Sequence, residues 1–327
     1  MDGNQEKKHP GLSAPRTLRA LIDAIPGRTG PIRCAGVEGP QAAYAAGRIH
    51  AATRSPTVVV VPSVRAAETV AEDPIPEILS FPVYNILPFK MVSYHNETAA
   101  RRIRTLYRLT AASRPPLLVT SVEGLMGRLI PRHEITEFAE LVMVGEEIDR
   151  EGLVRKLVAG GYTRAAIVEE PGDFSVRGGV LDIFTPLYEA PLRMELFGDT
   201  VESLRFFSPN TQRTLRQVDD AVVLPAREVV LKMTEIDSVI QRVRQAALLA
   251  DVPVERVREL VARIQEAGIF PGIEGLAPLI HSGADTLFDY LPADTLFLLQ
   301  EPEAIKDAMA AFSDRVAEGY AEGRRAG

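Results

Sequence analysis

At 327 residues the chain is longer than one average domain, so length alone predicts two or three domains. Its hydrophobic content of 46% and charged content of 25% allow a sizeable core, and a formal net charge of -7 argues against a protein whose main work is coating nucleic-acid phosphates, although a local basic patch is compatible with that total. One cysteine, Cys34, excludes an internal disulfide framework, and the polar start MDGNQEKKHPGLSAP has no apolar signal region. With no apolar run of about 18 residues anywhere, a soluble cytoplasmic protein without membrane contact is expected. His9, His50, His95, His133 and His281 are scattered without ligand spacing, which predicts no metal site.

In chain order, Thr17 to Ile25 reads as a short helix and Ile32 to Val37 as an apolar strand running into the turn Gly36-Val37-Glu38-Gly39-Pro40. An Ala-rich helix from Gln41 to Arg54 follows, then TVVVVP at Thr57 to Pro62, a β-branched run of the kind buried in parallel sheets. Ser63 is the expected N-cap of a helix reaching Glu72. A helix from about Asn96 to Ser113 and a buried strand at Pro116 to Ser121 continue a parallel α/β pattern.

Near Leu125 the pattern changes. Phe138 to Val144 reads as a strand and Arg150 to Gly160 as a helix stopped by Gly160-Gly161. Short alternating segments then follow at Phe174 to Val176, Val180 to Phe184, Leu192 to Phe197 and Val201 to Phe206, separated by Gly178-Gly179, a Pro186 to Pro191 loop and Gly198-Asp199. This predicts an antiparallel β-meander. Val180, Asp182 and Phe184 fall on one face, Leu181 and Ile183 on the other; Leu192, Met194 and Leu196 alternate with Arg193, Glu195 and Phe197, giving one buried and one largely solvated side. The small domain is expected to close near Pro209 to Thr214. Ala221 to Leu224 then reads as a strand, and two amphipathic helices lie within Glu235 to Leu249 and Val254 to Ala267, the second with a Val257, Leu260, Val261, Ile264 stripe. Thr295 to Leu299 is a buried strand and Pro302 to about Glu318 a final helix.

A phosphate-binding loop needs glycines, a lysine and a hydroxyl residue between the first strand and its helix. Here Gly36, Gly39, Ala42 and Ala43 occupy that text: Lys is replaced by Ala42 and the hydroxyl by Ala43, Pro40 removes a donor, and Glu38 adds a negative charge. The magnesium-binding carboxylate expected after an apolar strand is replaced by Gln300, following Leu296 to Leu299. Both absences predict an ATPase-like scaffold without its chemistry, with no catalytic residue and no cofactor.

The series GYTR at Gly161 to Arg164, GDFSVRGGVLDIF at Gly172 to Phe184, LRMELFGDTVESLRFF at Leu192 to Phe207 and SPNTQRT at Ser208 to Thr214 resembles the UvrB-like N-terminal module of bacterial transcription-repair coupling factors. ILPF at Ile86 to Phe89 and ETAARRIRTLYRL at Glu97 to Leu109 agree. The resemblance covers nearly all of the chain after about residue 15. It implies a degenerate helicase-like, P-loop NTPase-type α/β domain in two parts, residues 1–123 and 213–327, interrupted by a small α+β domain at 124–212 that carries the meander. UvrB itself, an active ATP-dependent damage-processing subunit, is the alternative. Against it stand the missing nucleotide residues, the short Lys90 to Asn96 stretch where UvrB has a long aromatic hairpin, and the lack of a second motor domain. The resemblance further implies that the chain is a segment of a longer protein, whose other domains bind RNA polymerase and DNA and use ATP and magnesium.

By the same resemblance the small domain docks onto UvrA, the damage-recognition ATPase. Arg164 in GYTR and Arg177 in FSVRGG are the positions carried over, with Arg193 a further candidate that either contacts the partner or pairs with Glu195 or Glu202. A planar guanidinium suits a partner carboxylate. UvrB-type sequences offer another arginine where Ser175 stands. Phe184 and Phe197 read as core, and Gly178 and Gly179 as turn residues. Arg101, Arg102, Arg104 and Arg108 form a basic helix that either touches DNA phosphate or is solvated beside local glutamates, while Arg227 and Glu228 are expected to make structural contacts where the chain returns.

Overall fold

The computed structural model describes residues 17–26, 30–37, 39–72, 78–84, 86–87, 94–111, 116–281 and 283–326. Among these the strands are β1 (Thr57–Val61), β2 (Leu79–Phe81), β3 (Leu117–Ser121), β4 (Glu140–Met143), β5 (Thr163–Arg164), β6 (Asp173–Arg177), β7 (Val180–Ile183), β8 (Leu192–Phe197), β9 (Thr200–Phe207), β10 (Thr214–Val218), β11 (Asp220–Val223) and β12 (Leu296–Leu299).

Every residue of β1 is buried, because the strand lies inside a parallel sheet ordered β12-β1-β3-β2 with helices on both faces. Val58 and Val60 join Ile103, Leu106 and Leu118 on one side; Val59 and Val61 join Ala43, Ala46, Ala67 and Val70 on the other. Each fully buried valine contributes about 1.5 kcal/mol or more, which explains why the run is apolar throughout rather than alternating. The helices Pro40–Thr53, Val64–Glu72 and Asn96–Ala111 match the expected ones, and Ser63 caps the second by accepting a hydrogen bond from the Ala66 amide at 3.2 Å.

The expected strand at Ile32 to Val37 is not formed. Residues 31–37 are extended or bent and none is buried, Gly36 has φ +77°, and no strand among the described residues pairs with them. A short apolar run without a neighbouring ladder has nothing to satisfy its backbone. Residue 38 and the region 88–93, which includes Phe89 and most of the stretch where a UvrB hairpin would begin, lie outside the described residues.

The second sheet is the meander, ordered β10-β9-β8-β7-β6-β5 and antiparallel except for the short β5–β6 pair. Gly178 (φ +58°) and Gly198 (φ +62°) take left-handed turn positions. Gly179 faces a different constraint: an added Cβ would lie 2.6 Å from the Leu196 carbonyl oxygen. The inner face, with Phe174, Leu181, Ile183, Leu192, Met194, Leu204 and Phe206, packs with Leu153 and Leu157 of the helix Arg150–Ala159, which Asp149 caps.

Local sequence misplaced three features here. Phe138 ends a helix, Arg132–Phe138, rather than starting a strand; Ile135 and Phe138 bury into the first core and hold a helix too short to stand alone. The chain also does not leave the sheet at Pro209 to Thr214, where closure was expected: β10 continues it, with a bulge between Thr214 and Arg216. Finally, β11 pairs antiparallel with β4 instead of entering the parallel sheet, and Val142, Ala221 and Val223 join the meander's core. The expected boundaries thus fall inside the helix Val122–Met126 and just before β10.

Beyond β11 the helices Ile236–Leu249 and Val254–Ala267 pack on each other with their own core, in which Val261 and Ile264 are buried and Val257 and Leu260 partly so. The chain then returns through β12 to the edge of the parallel sheet and enters a 25-residue helix, Pro302–Ala326.

Candidate functional site

The outward face of the meander is not uniformly solvated. Alternation places Ser175 and Arg177 of β6, Val180 and Asp182 of β7, and Arg193 and Glu195 of β8 on it, and the register sets Asp182 opposite both Ser175 and Arg193. At one end Phe184 and Phe207 bury with Val168 from the β5–β6 connection, forming a small second core. Phe184 is therefore core as expected. Ser175 is also covered there, its hydroxyl donating to the Ala166 carbonyl at 3.3 Å.

Beside this core lies a charged stripe. Asp182 is only 1% exposed. Its Oδ1 accepts from Arg193 Nε at 2.6 Å, and its Oδ2 accepts from Arg193 Nη2 at 2.8 Å and Arg177 Nη2 at 2.5 Å. The Arg193 guanidinium also lies 4.4 Å above the Phe207 ring and reaches Gln212 at 3.4 Å. Its hydrogen bonds to Asp182 are the main cause holding Arg193 above the ordinary arginine value. Glu195, one of the two carboxylates offered as a pairing alternative for Arg193, instead accepts from the Ser203 hydroxyl at 2.8 Å and pairs with Arg205, and these bonds hold it below the usual carboxylate range.

The three arginines picked out in the sequence have different surroundings. Arg177 and Arg193 converge on one carboxylate, with side chains 49% and 16% exposed. Arg164 is exposed on the short edge strand β5, in register with Phe174, whose ring is in the core. The pleat thus assigns Arg164 to the opposite face of the sheet from Arg177. Phe197, expected in the core, is 76% exposed: it shares parity with Arg193 and Glu195 and sits on the outward side of the hairpin end. Asp182, which organises the stripe, was not singled out in the sequence; its parity with Val180 was the available signal.

A second charged centre lies where the helix Asn96–Ala111 meets the end of β2 and the returning chain at Glu228. Arg102 pairs with Glu228, donates to the Pro82 carbonyl at 2.7 Å and lies 4.2 Å from the Phe81 ring centre. Tyr84 donates to Glu228 at 3.0 Å, and burial pushes its hydroxyl well above the ordinary tyrosine value. Arg104 donates to the carbonyls of Pro186 and Tyr188, while Arg101 and Arg108 are exposed. The helix 96–111 therefore offers no continuous basic face: two of its four arginines are anchored inside the molecule. Arg227 donates to Glu274 at 2.9 Å and to Asn96 at 3.0 Å, so Arg227 and Glu228 make the structural contacts expected of them.

In the region of the degenerate loop, Gly36 and Gly39 have positive φ, Ala42 is half-buried and Ala43 is packed in the core below the sheet. Gln300 follows β12, its amide donating to the Val60 carbonyl at 2.9 Å. Its side-chain Oε1 is buried without a hydrogen-bond partner among the described residues. No group of three or more His, Cys, Asp or Glu side chains that could hold a metal ion occurs among the described residues, and no described helix is long and apolar enough to cross a membrane.

Residues 141–229 match the family model of the UvrB interaction domain. The chain is 34% identical over 304 residues to a transcription-repair-coupling factor of Myxococcus xanthus, covering 88% of this chain and 25% of that protein. It is 31% identical over 314 residues to that of Mycobacterium tuberculosis, covering 91% and 23%, and 30% identical over 249 residues to that of Escherichia coli, covering 74% and 21%. The chain thus spans about a quarter of the length of these relatives. It belongs to the transcription-repair-coupling factor family, corresponding to one segment of such proteins.

Proposed function

We propose that this chain is a docking module whose small domain recruits UvrA, so that excision repair is delivered to stalled RNA polymerase in the cytoplasm. The observation that carries this reading is the interaction-domain match over 141–229, on the sheet where Arg177 stands half-exposed in an otherwise enclosed polar centre. The docking unit takes in β4 and β11 as well as the meander, because Val142 through Ala226 share one core. Arg177 presents charge on the outward face, Arg193 supports it, and Arg164 meets the partner at the sheet edge.

The flanking α/β part is a frame of degenerate P-loop type that binds no nucleotide. In support, Ala43 is packed against the sheet where a P-loop would carry a hydroxyl, and neutral Gln300 follows β12. Contacts with RNA polymerase and DNA, and the use of ATP and magnesium, belong to other parts of the longer protein. Titrating the purified chain with UvrA in a calorimeter tests the reading: a Kd of about 1 μM or below is expected, and absence of binding overturns it. ATP turnover by the chain alone, abolished by substitutions around Gly36 to Ala43, would overturn the frame assignment and favour an active UvrB-like subunit.

A further inference from the structure

We infer that Asp182 is a positioning residue for docking: its buried carboxylate tethers the half-exposed Arg177 on the outward face while Arg193 satisfies the rest of that carboxylate. This deepens the docking reading and rests on it. An isolated buried carboxylate is costly, so Asp182 requires partners. Arg193 supplies a two-pronged pair from the adjacent strand and is itself enclosed by Phe207 and Gln212, so it has little left to offer a partner protein. Arg177 commits one terminal nitrogen, Nη2, to Asp182. Among the described residues its Nε and Nη1 make no hydrogen bond, which leaves most of the guanidinium fork's donors for an incoming carboxylate.

Two guanidinium groups around one carboxylate leave a net positive charge, and the more exposed of the two faces solvent. A long arginine side chain normally loses rotamer freedom on binding. A tether formed before binding removes part of that loss, worth roughly 3- to 10-fold in affinity. Asp182 acts here through Arg177 and touches no partner itself, since it is buried beneath the arginines.

The test is a double-mutant cycle on the 327-residue chain with purified UvrA. Asp182→Asn is expected to weaken binding roughly 3- to 10-fold in the otherwise unmodified chain. In an Arg177→Ala background the same substitution is expected to change it by less than about 2-fold. Asp182→Asn combined with Arg193→Gln, which neutralises the inner pair on both sides, provides a second variant for the same cycle if the single substitution does not fold. Equal losses in both backgrounds, or no loss in either, overturn the positioning role while leaving docking intact. Failure of the unmodified chain to bind instead removes the docking reading on which the inference rests.

Discussion

Glu228, on the returning chain, and Asp182, in the meander, are both buried carboxylates that organise arginines, and they differ in what is left outside. At the first, both side chains of the Arg102–Glu228 pair are nearly enclosed, and Phe81 and Tyr84 flank the guanidinium. At the second, the carboxylate is as deeply buried, but one of its two arginines remains half in solvent. Similar ion-pair chemistry thus serves two ends. A closed centre joins the helix 96–111 to the returning chain, whereas an open one leaves a charged group half in solvent on the outward face of the meander.

The largest effect should come from opening the closed centre. Arg102→Met leaves Glu228 buried with Tyr84 as its remaining side-chain donor, and unfolding in urea should show a loss of about 3–5 kcal/mol. A loss below about 1 kcal/mol would erase the contrast between the two centres. Arg177→Ala should behave in the opposite way, weakening UvrA binding by about 1–3 kcal/mol while altering unfolding by less than about 1 kcal/mol. Equal affinity for the variant and the unmodified chain would remove Arg177 from the docking surface.

Acidification should act on the closed side. His281 lies with Nε2 3.3 Å from the Glu228 carbonyl and Nδ1 3.7 Å from Glu134. Burial holds it below the ordinary histidine value, with Glu134 opposing that effect. A depressed folded-state value means that the unfolded chain takes up the proton first as pH falls. The stability contributed by neutral His281 is therefore present above about pH 6.5 and is lost at lower pH. Urea midpoints at pH 7 and pH 5 should fall less for His281→Asn than for the unmodified chain; parallel shifts would assign the acid sensitivity elsewhere. The smallest effect is expected at Phe197. Its ring is exposed, so Phe197→Ser should change the free energy of unfolding in urea by less than about 0.5 kcal/mol, and a larger loss would mean that the ring packs more than its exposure indicates.

The parts legible in the sequence were those fixed by short-range pattern. β1 was plain because burial on both faces demands an unbroken apolar run, and the meander because alternation and Gly turns recur at close spacing. Ile32 to Val37 misled because its apolar content is real while no strand among the described residues pairs with it, which no local window shows. The helix Arg132–Phe138 escaped because seven residues give too little periodicity and its stability comes from two distant side-chain contacts. At the candidate site, Arg177 was visible by motif. The separation of Arg164 onto the other face follows from β5–β6 pairing, a non-local fact. Phe197 is a different case, since the parity it shares with Arg193 and Glu195 already points it outward.

The bulge in β10 has a bearing on solubility. This strand is the outer edge of the meander, with Thr214, Leu215, Arg216 and Gln217 all exposed, and such an edge is a template for unwanted strand addition. The break in register between Thr214 and Arg216 bends that template, and the Arg216 charge discourages a second strand from lying along it. That edge of the sheet is thereby guarded against growing sideways into another copy of itself.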